Sequence, residues 1–347
     1  MKPLVSILIP AYNAQSWIGE TLQSAISQTW DRKEIIVVDD GSKDDTLAIA
    51  RQFESWGARV VTQKNQGAAA ARNKAFSLSQ GDFIQWLDAD DLLASDKVAK
   101  QLEAWSQSPS KSTLLSGSWG RFMYRRDRAK FVPSELWENL SKVEWLTRKM
   151  EQNVYMQTAC WLVSRELTEA AGPWDTRLLG DDDGEYFCRV LLASDGVRFV
   201  PEARVFYRMA GSGSLSYIGG SDRKRDAQWL SMQLHIGYLR SLEDSARVRA
   251  ACRTFLQNWM VYFYPERLDL FRQADEVARS LGGQLEIPRL SWKYSWIKTM
   301  FGWRPARRAQ LFLPNVRWSL IRFCDKTLFQ IENGGALRGP WPKGQGS

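Results

Sequence analysis

At 347 residues, with 44% hydrophobic and 25% charged side chains, the chain can bury a full core, which excludes a disordered or fibrous class. Its four cysteines are widely spaced and its only histidine, His235, lies in a helical pattern, so a disulfide framework, a Cys/His metal site and a histidine base are excluded, leaving carboxylates. The formal charge of +8 is local: residues 284–347 hold 11 Lys and Arg against 3 Asp and Glu, while the first 283 residues balance at 36 of each.

No stretch reaches about 18 uninterrupted apolar residues, and Met1-Lys2-Pro3-Leu4-Val5 runs into a strand without an apolar signal region, so a cytosolic protein is expected. Val5 to Pro10 predicts a buried strand, with Ala11-Tyr12-Asn13 as the turn after it. Ser16 is placed to cap a helix carrying Ile18, Leu22, Ala25 and Ile26 at helical spacing. Glu34 to Asp40 predicts a second strand ending in Asp39 and Asp40, Gly41-Ser42 a turn, Asp44 to Trp56 a helix, and Arg59 to Thr62 a third strand. This alternation predicts an α/β fold with a parallel sheet between helices, whose ligands bind at the strands' carboxyl ends. Asn65 to Gly67 then feeds a helix with four alanines and an early Arg72, which either is solvated or turns toward a nucleotide at the sheet edge.

Phe83 to Asp91 follows the Gly81-Asp82 turn signal and predicts a strand that ends in carboxylates. Asp88 and Asp90, two apart, project the same way with small Ala89 between them, a hard-oxygen site suited to Mg²⁺ or Mn²⁺ and phosphate oxygens. The alternative is that these acids cap a helix over Leu92 to Trp105.

Beyond Asp91 the pattern predicts short strands over Thr113–Trp119, Phe122–Tyr124 and Lys130–Val132, a capping-box helix from Ser141 to about Met150, and a strand over Tyr155–Ser164. Gly172-Pro173-Trp174-Asp175 is a turn toward a second acidic run, Asp181-Asp182-Asp183-Gly184-Glu185, which opens a helix. An N-terminal cap complementing the helix dipole is one reading; like charges this dense favour a functional one. Trp229–Leu242, Val248–Tyr264 and Leu268–Leu281 predict helices. In the tail, Trp292, Trp296, Met300 and Trp303 share a helical face beside Lys293 and Arg304, and after Pro314 a second helix sets Val316, Leu320, Phe323 and Thr327 opposite Arg322 and Lys326. Seating on an anionic membrane and packing onto the body of the protein are equally open for it. The tail is short and the remainder neutral and without a recognition module, so no nucleic-acid partner is expected.

Four motifs, Val5 to Asn13, Glu34 to Ser42, Asn65-Gln66-Gly67 with Ala71-Arg72-Asn73, and Leu87-Asp88-Ala89-Asp90-Asp91, resemble in order and spacing the inverting family 2 glycosyltransferases of the GT-A fold. The resemblance implies that Pro10, Ala11, Tyr12, Asn13, Asp39, Asp40, Ser42, Lys64, Gly67 and Arg72 hold the base and ribose of a nucleotide-sugar, a UDP-sugar by preference. Asp88, Ala89 and Asp90 become the Asp-x-Asp motif at ribose, metal and diphosphate, with Asp90 the closer metal contact and Asp88 its partner. In this family an acidic pair followed six residues on by Arg opens the later helix; aligned on Arg189, the pair is Asp182-Asp183, making Asp183 the base, Asp182 the second choice and Asp181 the third. Tyr207 to Ser216 takes the place of a flexible acceptor-side loop, without the histidine that many relatives carry near Met209.

The implied organisation is a GT-A nucleotide-sugar-binding and catalytic domain over 1–220, a helical C-terminal region with the basic aromatic tail over 221–333, and a disordered end over 334–347. The mostly parallel sheet thus carries a helical C-terminal extension. Lacking a Gln-x-x-Arg-Trp segment, the chain is expected to move one sugar per encounter to a saccharide or lipid-linked hydroxyl in cell-surface polysaccharide, lipopolysaccharide or glycolipid synthesis. Should the tail over 284–333 seat on a membrane rather than on the body, the position is peripheral at the cytoplasmic membrane face. Two rivals remain: a nucleotidyltransferase, against which stands the missing Gly-rich phosphate loop after the first strand, and a non-catalytic nucleotide-sugar-binding or membrane-recruited scaffold.

Overall fold

The computed structural model describes residues 2–209 and 221–332. It opens with alternating strands and helices: β1 (Val5–Ala11), α1 (Ile18–Ile26), β2 (Lys33–Asp39), α2 (Thr46–Arg51), β3 (Ala58–Thr62), α3 (Ala68–Ser77) and β4 (Phe83–Trp86). There follow β5 (Leu92–Leu93), α4 (Lys97–Gln107), β6 (Thr113–Phe122), β7 (Lys130–Phe131), α5 (Lys142–Gln152), β8 (Val163–Ser164), α6 (Arg165–Ala171), α7 (Asp182–Ala193) and β9 (Gly196–Arg208). Five helices complete the described chain: α8 (Asp222–Leu242), α9 (Ala246–Phe263), α10 (Leu268–Ser280), α11 (Ser295–Phe301) and α12 (Trp303–Glu332).

One sheet has the order β3-β2-β1-β4-β8, parallel except for its last pair. Ile7, Leu8 and Ile9 of β1 and Ile35 to Val38 of β2 are buried, which is why these strands read as unbroken apolar runs rather than alternating ones. A second sheet, β5-β9-β6-β7, is built around a long parallel β6–β9 pair. There the backbones meet so closely that a Cβ on Gly117 would fall 2.1 Å from the Ala203 carbonyl, so only glycine fits. The buried apolar cluster runs on through α8, α9 and α10 to Leu281.

Several boundaries differ from expectation. β4 stops at Trp86 because Asp88 to Asp91 form a turn, the Asp91 N–H donating to the Asp88 carbonyl at 3.2 Å. The two acids therefore share a turn rather than one face of a strand. Leu92 and Leu93 pair with β9, so the next helix starts at Lys97 and the first acids do not cap it. Ser16 makes no cap, since α1 begins after Trp17 without a side-chain bond. The helix expected over 44–56 shortens to α2 and a 3₁₀ turn at Glu54–Trp56. Thr113–Phe122 is one strand because β9 pairs along all of it, and of Tyr155–Ser164 only β8 is a strand, preceded by a 3₁₀ turn at Thr158–Cys160. Tertiary pairing overrides propensity in each case. The Ser141 cap is present, its hydroxyl accepting from the Glu144 N–H at 3.2 Å. His235 is packed as expected, and Cys160, Cys188 and Cys252 are buried thiols, whereas Cys324 is exposed on α12.

The tail departs furthest. Its break falls at Gly302, in the left-handed region at φ +86°, and α12 continues through position 314 for 30 residues. α12 touches the body near both ends: Arg307 reaches Glu266 and the Val261 and Tyr262 carbonyls, and Asp325 pairs with Arg125 at 2.8 Å while Phe329 meets Tyr124. Elsewhere Trp292 (80% exposed), Met300 (70%) and Phe323 (68%) stand in solvent. No helix among the described residues is long and apolar enough to cross a membrane.

Candidate active site

The carboxyl ends of β1, β2 and β4 place the first group of expected residues together. β1 ends at Ala11, immediately after Pro10, and Tyr12 is exposed beyond it. Asn13, at φ +47°, receives the Lys43 N–H on its side chain at 2.9 Å and donates its own N–H to Ser42 Oγ at 3.0 Å, locking the β1 and β2 turns to each other. Asp39 accepts from the Thr62 hydroxyl at 2.8 Å and from the Ser42 N–H, leaving little carboxylate unengaged. Asp40 is committed further: Gln63 Nε2 and the Gln66 and Gly67 N–H groups donate to it at 2.8–3.0 Å, so it shapes the loop that carries Lys64 and opens α3. Gly67 sits at φ +93°, and Lys64 is exposed on that loop.

Arg72 is buried, and its guanidinium turns to the two acidic groups. Its guanidinium donates to Asp88 at 2.8 Å and to Asp182 at 2.6 Å, and lies over the Trp174 ring at 4.3 Å. Thus one buried cation joins two acidic groups that are 94 positions apart in the chain. It pairs well because a planar fork can serve two carboxylates at once.

The Asp88-Ala89-Asp90 turn is held from outside. The Thr21 hydroxyl donates to the Ala89 carbonyl at 3.0 Å. Arg208, 2% exposed and stacked against Trp17 and Phe122, donates to the Asp90 carbonyl at 2.8 Å and to Glu20 at 2.5 Å. Asp91 is gripped by Gln157 and by the Arg208 N–H, and burial pushes its pKa well up. The Asp90 carboxylate, by contrast, takes no hydrogen bond from any other described residue, and burial together with Asp88 pushes its pKa up to about 6 against the pull of Arg208 and its own backbone N–H. An unengaged hard-oxygen donor under that electrostatic pressure fits a divalent cation. No three His, Cys, Asp or Glu side chains of the described residues form a metal cluster, so Asp88 and Asp90 would hold it with ligand oxygens completing the shell.

α7 brings in the second group. Asp181, in the left-handed region at φ +56°, precedes the helix and accepts from Ser231 at 2.7 Å, so α8 fixes its entry. Asp182 is spent on Arg72. Among the described residues Asp183 accepts only from Thr158 at 3.2 Å and from the adjacent Gly184 N–H, and burial, then Asp182 and Asp181, push its pKa up to about 7. Such a carboxylate is poised to take a proton near neutrality. Arg189, the alignment anchor, pairs with Glu185 at 2.7 Å.

Residues 6–172 match the family model described as Glycosyl transferase family 2. That match ties residues 6–172 to the family 2 glycosyltransferases by similarity. The putative teichuronic acid biosynthesis glycosyltransferase TuaG of Bacillus subtilis is 45% identical over 105 residues, 29% of this chain and 42% of its own length. The chain spans less than two thirds of the curated relatives it first matches. Staphylococcus aureus TarS in complex with UDP-GlcNAc superposes with a TM-score of 0.66 at 18% identity, covering 89% of this chain and 91% of that one. The mannosyltransferase PcManGT of Pyrobaculum calidifontis, in complex with GDP-Man and Mn²⁺, superposes at 0.51 with 18% identity, covering 96% and 87%. The GT-A-type fold expected from the sequence, a sheet between helices with a helical C-terminal region, is the one observed.

The sequence did not reveal Gln157, Thr158, Trp174 or Arg208 as parts of the site. Arg208 lies within the expected acceptor-side loop, yet Tyr207 and Arg208 end β9 because that strand pairs with β6 as far as Phe122, and the burial of Arg208 was the missing signal; positions 210–216 of that loop lie outside the described residues.

Proposed function

We propose that this protein is a metal-dependent, inverting, non-processive hexosyltransferase that moves one sugar from a nucleotide-sugar, a UDP-sugar by preference, to an acceptor hydroxyl. The observation that carries the reading is the Arg72 bridge, which sets Asp88 and Asp182 on one cation and leaves Asp183 beside them without one. Asp183 takes the proton of the acceptor hydroxyl, the oxygen attacks the anomeric carbon, and the bond to the departing diphosphate breaks on the opposite face. Inversion follows from that single displacement. A divalent cation held by Asp90 and Asp88 would supply charge neutralisation at the diphosphate. Arg72, tied to Asp88, engages Asp182 and opposes the rise that burial imposes on its pKa.

UDP-GlcNAc and GDP-Man in the solved complexes named above support a nucleotide-sugar donor, and Mn²⁺ in one of them supports the cation. The TuaG relative supports cell-surface polysaccharide synthesis, with a saccharide or lipid-linked acceptor. Exposed Trp292, Trp296 and Phe323, with Lys293, Lys298 and Arg317 also exposed nearby, support peripheral contact with an anionic membrane through 284–332. The test is Asp183→Asn: UDP-sugar binding stays within about twofold while transfer and donor hydrolysis fall by about 10³ or more. Retained turnover removes Asp183 as the base.

A further inference from the structure

On β6, Trp119 and Arg121 stand on the same sheet face because strand side chains alternate, and Tyr207 of β9 lies opposite Arg121. Tyr155 leans against this face with its ring 5.2 Å from Trp119 at 36°, and Tyr207 meets Trp119 edge-on at 5.8 Å. Tyr155 belongs to the segment that holds both acidic groups, since Gln157 donates to Asp91 and Thr158 to Asp183. The aromatic shelf therefore borders the space where the two groups meet.

Arg121 is exposed, donates to the Tyr155 hydroxyl at 3.2 Å and lies over Trp119 at 5.0 Å. Among the described residues no carboxylate pairs with it, although Arg125, Arg148 and Arg208 on neighbouring elements each hold one. The Trp119 side chain is 8% exposed and its indole N–H meets no acceptor among them. A guanidinium steadied by a phenol and an indole, with its charge unspent, is preorganised for a planar anion. The exposed Tyr155 ring offers a negative face to the C–H edge of a sugar ring.

We propose that Trp119, Tyr155 and Arg121 form the acceptor subsite, and that it takes a saccharide bearing an anionic group, carboxylate or phosphate, which Arg121 binds while the sugar ring lies on Tyr155, backed by Trp119. Asp183 then faces a hydroxyl of that saccharide, so the identity of the reacting end rests on the function proposed above. Binding itself does not.

Saturation-transfer NMR titrations of methyl β-glucuronide, glucose 6-phosphate and methyl β-glucoside against the full chain with UDP and Mn²⁺ test it. At least one anionic sugar binds about tenfold more tightly than the neutral one, and the stronger of the two anionic ligands names the source of the charge. Arg121→Ala brings it down to the glucoside's level, Arg121→Lys restores part of the difference, and neither changes UDP binding. Equal binding of all three sugars, no binding of any, or an anionic preference that survives Arg121→Ala overturns the proposal. Failure of Asp183 as the base would show in the turnover of its Asn variant and leave these titrations unaffected.

Discussion

Arg72 sits 2.6 Å from Asp182, while Asp183, one residue along, has among the described residues only a threonine hydroxyl and a backbone N–H as hydrogen-bond donors. Two identical side chains thereby acquire different chemistry. The guanidinium opposes the rise that burial imposes on Asp182, while burial and its acidic neighbours take Asp183 up to about 7. A base must be ionised to accept a proton, so with Mn²⁺ saturating, transfer rises about tenfold per pH unit below this value and levels off above it. A rate profile measured from pH 5 to 9 checks this; a flat acid limb would place the base elsewhere. The same raised pKa stabilises the fold fully only below the unfolded carboxylate value of about 3.9, and that contribution is lost as pH rises through about 7.

At the scale of elements, α11 and α12 depart most from the packing habit of the rest. Helices α8, α9 and α10 bury an apolar stripe against the body, whereas Trp296 (59% exposed), Phe323 (68%) and Ile331 (71%) remain in water. Burying one such side chain is worth about 1.5–3 kcal/mol, so a surface left this apolar needs a partner, and the interleaved cations fit an anionic bilayer. The full chain is expected to co-sediment with phosphatidylglycerol vesicles and hardly with phosphatidylcholine ones, less so at 0.5 M salt. Trp296→Asp with Phe323→Asp should lower the bound fraction about tenfold or more. An unchanged bound fraction defeats the membrane reading, and a loss of oligomer size by light scattering assigns the face to a second copy.

At the scale of the molecule, the sheet edge gathers a turn from β4 and the entry of α7, and Arg72 of α3 is the point where they touch. UDP with Mn²⁺ at about 100 times its dissociation constant would stabilise the fold by about 2.7 kcal/mol, a shift of several degrees in melting temperature. Asp183→Asn should keep that shift and Asp90→Ala should lose it. A shift that survives in Asp90→Ala, or that needs no metal in the wild type, separates Asp90 from the cation.

The alternating sheet and the acidic start of α7 were legible because local periodicity and charge runs record them directly, whereas the turn that carries Asp88 and Asp90 read as the end of a strand. β2 reads as a strand since both its faces are buried, and Asp181-Asp182-Asp183 reads as a site since such repulsion needs a use. Arg72 as a bridge, Arg208 as the brace beneath Asp90, and Gln157 and Thr158 as partners of the two acids were not legible. Each depends on contacts between residues far apart in the chain, and a one-dimensional pattern carries no signal for them. Sequence alone therefore determined which residue types stand at the strand ends and what chemistry they suit. Only the tertiary structure decided which aspartate has a cation, which carboxylate is left unengaged and which apolar faces stay uncovered, because charge and burial are set by neighbours in space.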